Sequence, residues 1–257
     1  MTSFTRIRLE RRDDGIRILV LTDPDKRNAI GPEMRRDLLA AGEDLRTDDD
    51  ARCLVVTGTG SSFCAGADLV ALFGGEARTT AESRARQLEY YESFLWIRQL
   101  PYPTIAAVNG HAIGAGLNLA LACDIVIGGP DARFGATFSR IGLHPGGGCT
   151  YFVTERLGRG RGLRTLLTGE VALGARAYEL GFADQYAENP RAAAEELASQ
   201  IASLEPGLTK DIKRTVAIAA DGNFLQTITV ESWAQAASTS YPGVMDGILR
   251  SGRTTAR

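Results

Sequence analysis

Three glycine-rich stretches hold the residues whose types and spacing could do chemistry. They are "TGTGSSFCAGADL" (57–69), "NGHAIGAGLNL" (109–119) and "GLHPGGGCTYF" (142–152). Each of the three is expected to follow a strand. Glycine at such a junction lets the backbone come close to a ligand, and free N–H groups at the start of the next helix then point at it. The positive end of that helix favours developing negative charge. Two such turns facing each other would make an oxyanion hole, suited to the negative oxygen that forms when a carbonyl compound loses an adjacent proton. No stretch matches a dinucleotide fingerprint with an acidic residue on the next strand, and none carries the lysine of a P-loop. Three tight turns without a ligand are the competing reading.

The polar residues near these turns are few. "GAGLNLALACD" (114–124) is almost wholly apolar yet contains Asn118. A neutral amide can orient a water or a hydroxyl but cannot take a proton at neutral pH. His144, in "GLHPGGG", titrates in the useful range and is either an acid/base group or a loop anchor beside Pro145. His111, directly after "TIAAVNG", reads as structural. Ser139, Cys149 and Tyr151 are weaker candidates, and Glu89 and Glu92 face either the site or solvent from a long helix. Asp124 suits a backbone-bonding role at the entry to a strand.

The elements that must position these residues alternate. "IRILVLT" (16–22), "RCLVVTG" (52–58), "TIAAVNG" (104–110) and "DIVIGG" (124–129) read as strands. "PEMRRDLLAAGEDLR" (32–46) and "AESRARQLEYYESFLWIRQL" (81–100) read as helices, the second stopped by Pro101 and Pro103. This alternation predicts an α/β architecture. From about residue 190 the pattern is helical only, through "PRAAAEELASQIASL", "GLTKDIKRTVAIAA", "NFLQTITVESWAQAAS" and "GVMDGILRSG". The expected division is a core over 1–190 and a helical C-terminal region over 191–257.

The 257 residues fit one large domain with or without a smaller piece, and 44% hydrophobic with 23% charged residues is ordinary for a globular protein. A net charge of -2 argues against nucleic acid as a partner. No apolar run reaches the roughly 18–20 residues that cross a bilayer, and the charged N-terminus lacks a signal-peptide core. The reading is cytoplasmic. Four cysteines without paired spacing and only two histidines predict buried thiols and no metal site.

In order and spacing, "FCAGADL", "NGHAIGAGLNLALACDI" and "FGATFSRIGLHPGGG" resemble the crotonase superfamily, the enoyl-CoA hydratase and isomerase family. "DPDKRNAI" (23–30) and "LLTGEVALGARAYELGFAD" (166–184) resemble its flanking motifs, so the resemblance spans nearly the whole chain. It implies a crotonase fold: a spiral of ββα turns with a C-terminal helical region that packs homotrimers, often paired as a dimer of trimers. It implies an acyl-CoA thioester as partner, with coenzyme A part of the substrate and no separate cofactor, and a lyase or isomerase role in fatty acid metabolism. The thioester oxygen would be held by the backbone N–H groups of Ala67 and Ala115. The CoA portion would meet Lys26, Arg27, Ala29, Ala65, Asp68 and Leu69, with Lys213 reaching the nucleotide phosphates; Asp68 is alternatively a helix cap.

Hydratases of the family carry two glutamates that activate water. The resemblance puts the first at Asn118 and the second at Phe138 or its neighbours Thr137 and Ser139; no carboxylate lies between Arg133 and Thr154. Each acid or base group contributes about 10²–10⁴-fold. Two-glutamate hydration is therefore not expected. Three functions compete: an enzyme that stabilises an enolate with help from His144, a non-catalytic acyl-CoA binder, and a slow hydratase with relocated groups.

Overall fold

A computed structural model describes residues 4–245 and 248. The end of the expected C-terminal region, including most of "GVMDGILRSG" after Met245, lies outside the described residues.

The chain opens with a hairpin of β1 (Ile7–Arg11) and β2 (Ile16–Leu21), followed by α1 (Pro32–Arg46), which starts at proline as its sequence requires. Next, β3 (Cys53–Gly58) pairs parallel with β2, and β4 (Ser62–Cys64) departs from it before α2 (Leu69–Phe73) and α3 (Thr80–Leu95). The pattern repeats. β5 (Thr104–Val108) joins β3, β6 (His111–Ile113) joins β4, and α4 (Ala115–Leu121) follows. It repeats again with β7 (Ile125–Gly128) beside β5, β8 (Arg133–Gly135) beside β6, and α5 (Cys149–Thr168). β9 (Val171–Leu173), α6 (Gly174–Leu180) and β10 (Gln185–Tyr186) close the two sheets, and α7 (Pro190–Ala202), α8 (Pro206–Asp221) and α9 (Phe224–Ser238) complete the chain. The result is a six-stranded sheet in the order β1-β2-β3-β5-β7-β10 and a four-stranded sheet in the order β4-β6-β8-β9. Successive ββα turns build both, as the resemblance implies.

Every residue of β2 is buried, because the large sheet is covered on both faces. Leu19, Leu21, Leu54, Val56 and Ala106 pack into the main core with α1, α3 and α4. Ile16, Ile18, Val20, Val55 and Ile105 face the other way, against Ala194 and Ala198 of α7. Helix α7 falls beyond the expected division at residue 190, yet its alanines are part of this second core. Small side chains let the helix lie close on the sheet.

Cys53, Cys64, Cys123 and Cys149 are free and buried. Burial pushes the thiols of Cys53, Cys64 and Cys149 up to about 12, and that of Cys123 higher still. The thiolate is the reactive form. Iodoacetamide at mildly alkaline pH is therefore expected to leave the folded chain unmodified and to add four adducts after denaturation, counted by intact mass. An adduct on folded protein would show that the core opens locally.

Candidate functional site

The site begins where two loops touch. Residues 27–30 are stitched to residues 65–68 by Ala65 N–H donating to Arg27 O (2.9 Å), Ile30 N–H to Gly66 O (2.8 Å) and Asp68 N–H to Ile30 O (3.3 Å). Ile30 and Ala67 thus form a parallel bridge in which the groups flanking Ala67 face Ile30. Ala67's own N–H points the other way and has no acceptor among the described residues. Ala115, the first residue of α4, likewise has an N–H without an acceptor, as helix starts do.

Glycines bring these two loops together. Gly66 has φ +104, and a Cβ there would fall 2.6 Å from Ile113 O and 3.5 Å from Ala115 N. A Cβ on Gly116 would fall 2.0 Å from Cys64 O. Helix α4 therefore rests directly on the end of β4, and no larger residue permits that approach. Ala67 and Ala115 both line a cavity of about 280 Å³. Its wall is mainly apolar, including Leu72, Phe73, Phe94, Ile113, Phe138 and Leu143, with Gln87, Tyr90, Tyr91, Asn118, Thr137 and His144 supplying polar groups. No aspartate or glutamate is among the described lining residues.

Asn118 is only 1% exposed. Its Nδ2 donates to Gly146 O at 2.7 Å, while Oδ1 is buried without a partner among the described residues. His144, exposed on the facing loop, holds Nδ1 2.7 Å from Pro145 O. A carbonyl only accepts, so Nδ1 carries a hydrogen, and in the neutral ring that tautomer makes Nε2 the acceptor. Burial raises the phenols of Tyr90 and Tyr91, keeping both protonated at neutral pH. The Phe138 ring lies over Gly114, the left-handed residue that turns the chain into α4.

The sequence pattern of the enoyl-CoA hydratase/isomerase family matches residues 11–241. This chain belongs to that family. The probable enoyl-CoA hydratase EchA14 of Mycobacterium tuberculosis is 44% identical over 187 residues, 73% of this chain and 72% of its own length. The 1,2-epoxyphenylacetyl-CoA isomerase of Escherichia coli is 32% identical over 218 residues, 84% of this chain and 83% of its own. A structure from Thermobifida fusca YX in complex with CoA is 30% identical, covers 91% of this chain and 93% of its own, and has a TM-score of 0.82. The crotonase-fold expectation holds.

In this enoyl-CoA hydratase/isomerase family member, the other expected residues divide into four groups. Ala65 and Leu69 line the cavity, and Ala29 is half-buried beside them. Lys26 and Arg27 are exposed and make no ion pair among the described residues. Asp68 takes the cap alternative, accepting from Ala71 N–H at 3.0 Å at the start of α2. Lys213 is placed differently from the expectation. Its Nζ sits 2.7 Å from Asp124 Oδ2 and 3.0 Å from Tyr102 O, fastening α8 to the core rather than offering a free cation. Asp124 also accepts from Thr104 N–H and Oγ1.

The weaker candidates stand away from the cavity. Glu89 and Glu92 are exposed, the former 3.6 Å from Arg35. Tyr151 accepts from Arg98 and donates to Asp221 Oδ1 at 3.0 Å. Cys149, Ser139 and His111 do not line it, and His111 lies 3.4 Å from Ser62 Oγ. Sequence reasoning missed Asn28, wholly buried at φ +56, which accepts from Asp23 N–H and donates to Thr59 O and Ser62 O. An asparagine in a turn tolerates that backbone and bonds it, which was the available signal. It also missed Tyr90, Tyr91 and Phe94, whose spacing on one helix puts them on neighbouring faces.

Proposed function

We propose that this chain binds an acyl-CoA thioester and stabilises its enolate between the N–H groups of Ala67 and Ala115. The carrying observation is that Ala67 and Ala115, from separate loops and each with a backbone N–H that has no acceptor among the described residues, line one mainly apolar cavity. In this reading the thioester oxygen accepts from both, and each donor of such a hole contributes about 3–4 kcal/mol to the charged state. Lys26 and Arg27, exposed and without an ion pair among the described residues, meet the CoA phosphates, and the backbone at Ala29, Ala65, Asp68 and Leu69 leads from them to the cavity. Assembly as a trimer or dimer of trimers through α8 and α9 is part of the proposal, supported by the exposed Val216, Phe224, Leu225 and Trp233.

Hydration by two glutamates is not part of it. Asn118 and Phe138 stand where the resemblance puts those residues, and no carboxylate is among the described residues that line the cavity. His144, with Nε2 able to accept a proton, is the acid/base group for isomerisation or another enolate-based conversion. A carrier that binds without turnover is the second reading, favoured by the same lack of carboxylates.

One experiment separates these readings: butyryl-CoA and crotonoyl-CoA incubated with the protein in D₂O and weighed by mass spectrometry. The expected result is protein-dependent deuterium in recovered butyryl-CoA, lost in His144→Ala, and no gain of water by crotonoyl-CoA. Water gain would mean that relocated groups hydrate. Binding without either change would leave the carrier, and absence of binding would sink the proposal.

A further inference from the structure

The Asn118 side chain has one bonded end and one open end. Nδ2 donates to Gly146 O at 2.7 Å, so turning the amide over would set two acceptors against each other. The open atom is therefore the oxygen, buried on a side chain that is 1% exposed and lines the cavity. Several neighbouring side-chain atoms are already matched. Gln87 Oε1 accepts from Tyr91, Tyr90 donates to Ile30 O at 3.3 Å, and His144 Nδ1 is held by Pro145 O. A buried amide oxygen without a donor is unfavourable, and a ligand that supplies a donor reverses this.

We propose that Asn118 Oδ1 selects thioesters whose acyl chain carries a hydroxyl, by accepting its O–H. The inference rests on the placement of the thioester between Ala67 and Ala115. Asn118 lies three residues beyond Ala115, about 4.5 Å further along α4 and on the same face. That span fits a hydroxyl on the third carbon, counting the thioester carbonyl as the first. A carboxylate at this position would draw a proton from water. The amide oxygen holds the hydroxyl and leaves its proton in place.

The test is calorimetric titration of the protein with 3-hydroxybutyryl-CoA, 3-methoxybutyryl-CoA, butyryl-CoA and CoA. The hydroxyl compound is expected to bind about 10- to 100-fold more tightly than the other two thioesters, the range for a buried hydrogen bond. In Asn118→Leu that preference is expected to fall within about twofold. Equal binding of the three thioesters by the unaltered protein, which needs no variant to fold, overturns the selection and leaves the thioester reading standing. A preference that survives in Asn118→Leu overturns the role of Asn118. Thioesters that bind no better than CoA overturn the thioester reading itself, and the selection with it.

Discussion

Gly116→Ala is expected to destabilise the fold by about 3 kcal/mol or more and to lower the thermal midpoint by on the order of 10 °C. In most helices the same exchange stabilises, by up to about 1 kcal/mol, because alanine restricts the unfolded chain. The sign reverses here because the added carbon would lie 2.0 Å from Cys64 O and 2.9 Å from Cys64 Cβ. Neither side can yield. β4 is held by β6, and every residue of α4 is buried. The contrasting position is Gly160 in α5, where an added carbon meets nothing within 4 Å. Gly160→Ala is expected to be neutral or stabilising. Urea midpoints of the two variants make the comparison, and a Gly116→Ala protein as stable as its parent would mean that α4 does not rest on β4. Because Ala115 is the preceding residue, the variant is also expected to lose thioester binding before it loses its fold.

Asp48→Ala is expected to cost about 3–5 kcal/mol at neutral pH. Arg17 lies within β2 and is 5% exposed. Its Nε and Nη2 reach the two Asp48 oxygens at 2.7 and 3.1 Å, and its Nη1 donates to Arg12 O. Removing the carboxylate would strand a buried guanidinium. Hydrogen bonding from Arg17 holds the Asp48 carboxyl below its ordinary range, with Arg11 adding to the effect. A lowered folded value stabilises the native state at every pH above the unfolded value near 3.9, and that stability fades as pH falls through the lower folded value. The difference between parent and variant should therefore be full at neutral pH and shrink in strong acid. The double variant Arg17→Met, Asp48→Leu is expected to recover most of the loss. Urea unfolding at both pH values provides the check, and an unchanged midpoint for Asp48→Ala at neutral pH would mean the pair contributes nothing.

The parts of this molecule legible in its sequence are those where backbone meets backbone. Gly66, Gly114 and Gly116 are forced by close approach or left-handed φ, so the turns announce themselves by residue type. The buried large-sheet strands are equally visible as β-branched runs. The small sheet is not, because β4, β6, β8 and β9 have three residues each and show no period. Helix α5 is concealed by Gly158, Gly160 and Gly162, and Gly158 indeed breaks it with φ 73 and ψ 165. Partner choice is the least legible. Tyr151 meets Asp221, 70 residues away, and Lys213 meets Asp124 instead of solvent. Such pairs depend on which surfaces the finished fold brings together, and nothing local to either residue encodes that.

The excursion through α2 and α3 joins β4 to β5, yet β3 pairs directly with β5 and β4 with β6. Its residues 75–80 are exposed, while Leu72 and Phe73 before them and Gln87 and Tyr91 after them line the cavity. Inserting chain there disturbs neither sheet, and each doubling of a flexible loop costs only about 0.6 kcal/mol. Ligand range and foldability are thereby uncoupled. Selection can remodel the entrance by insertion and deletion while the strand registers descend unchanged.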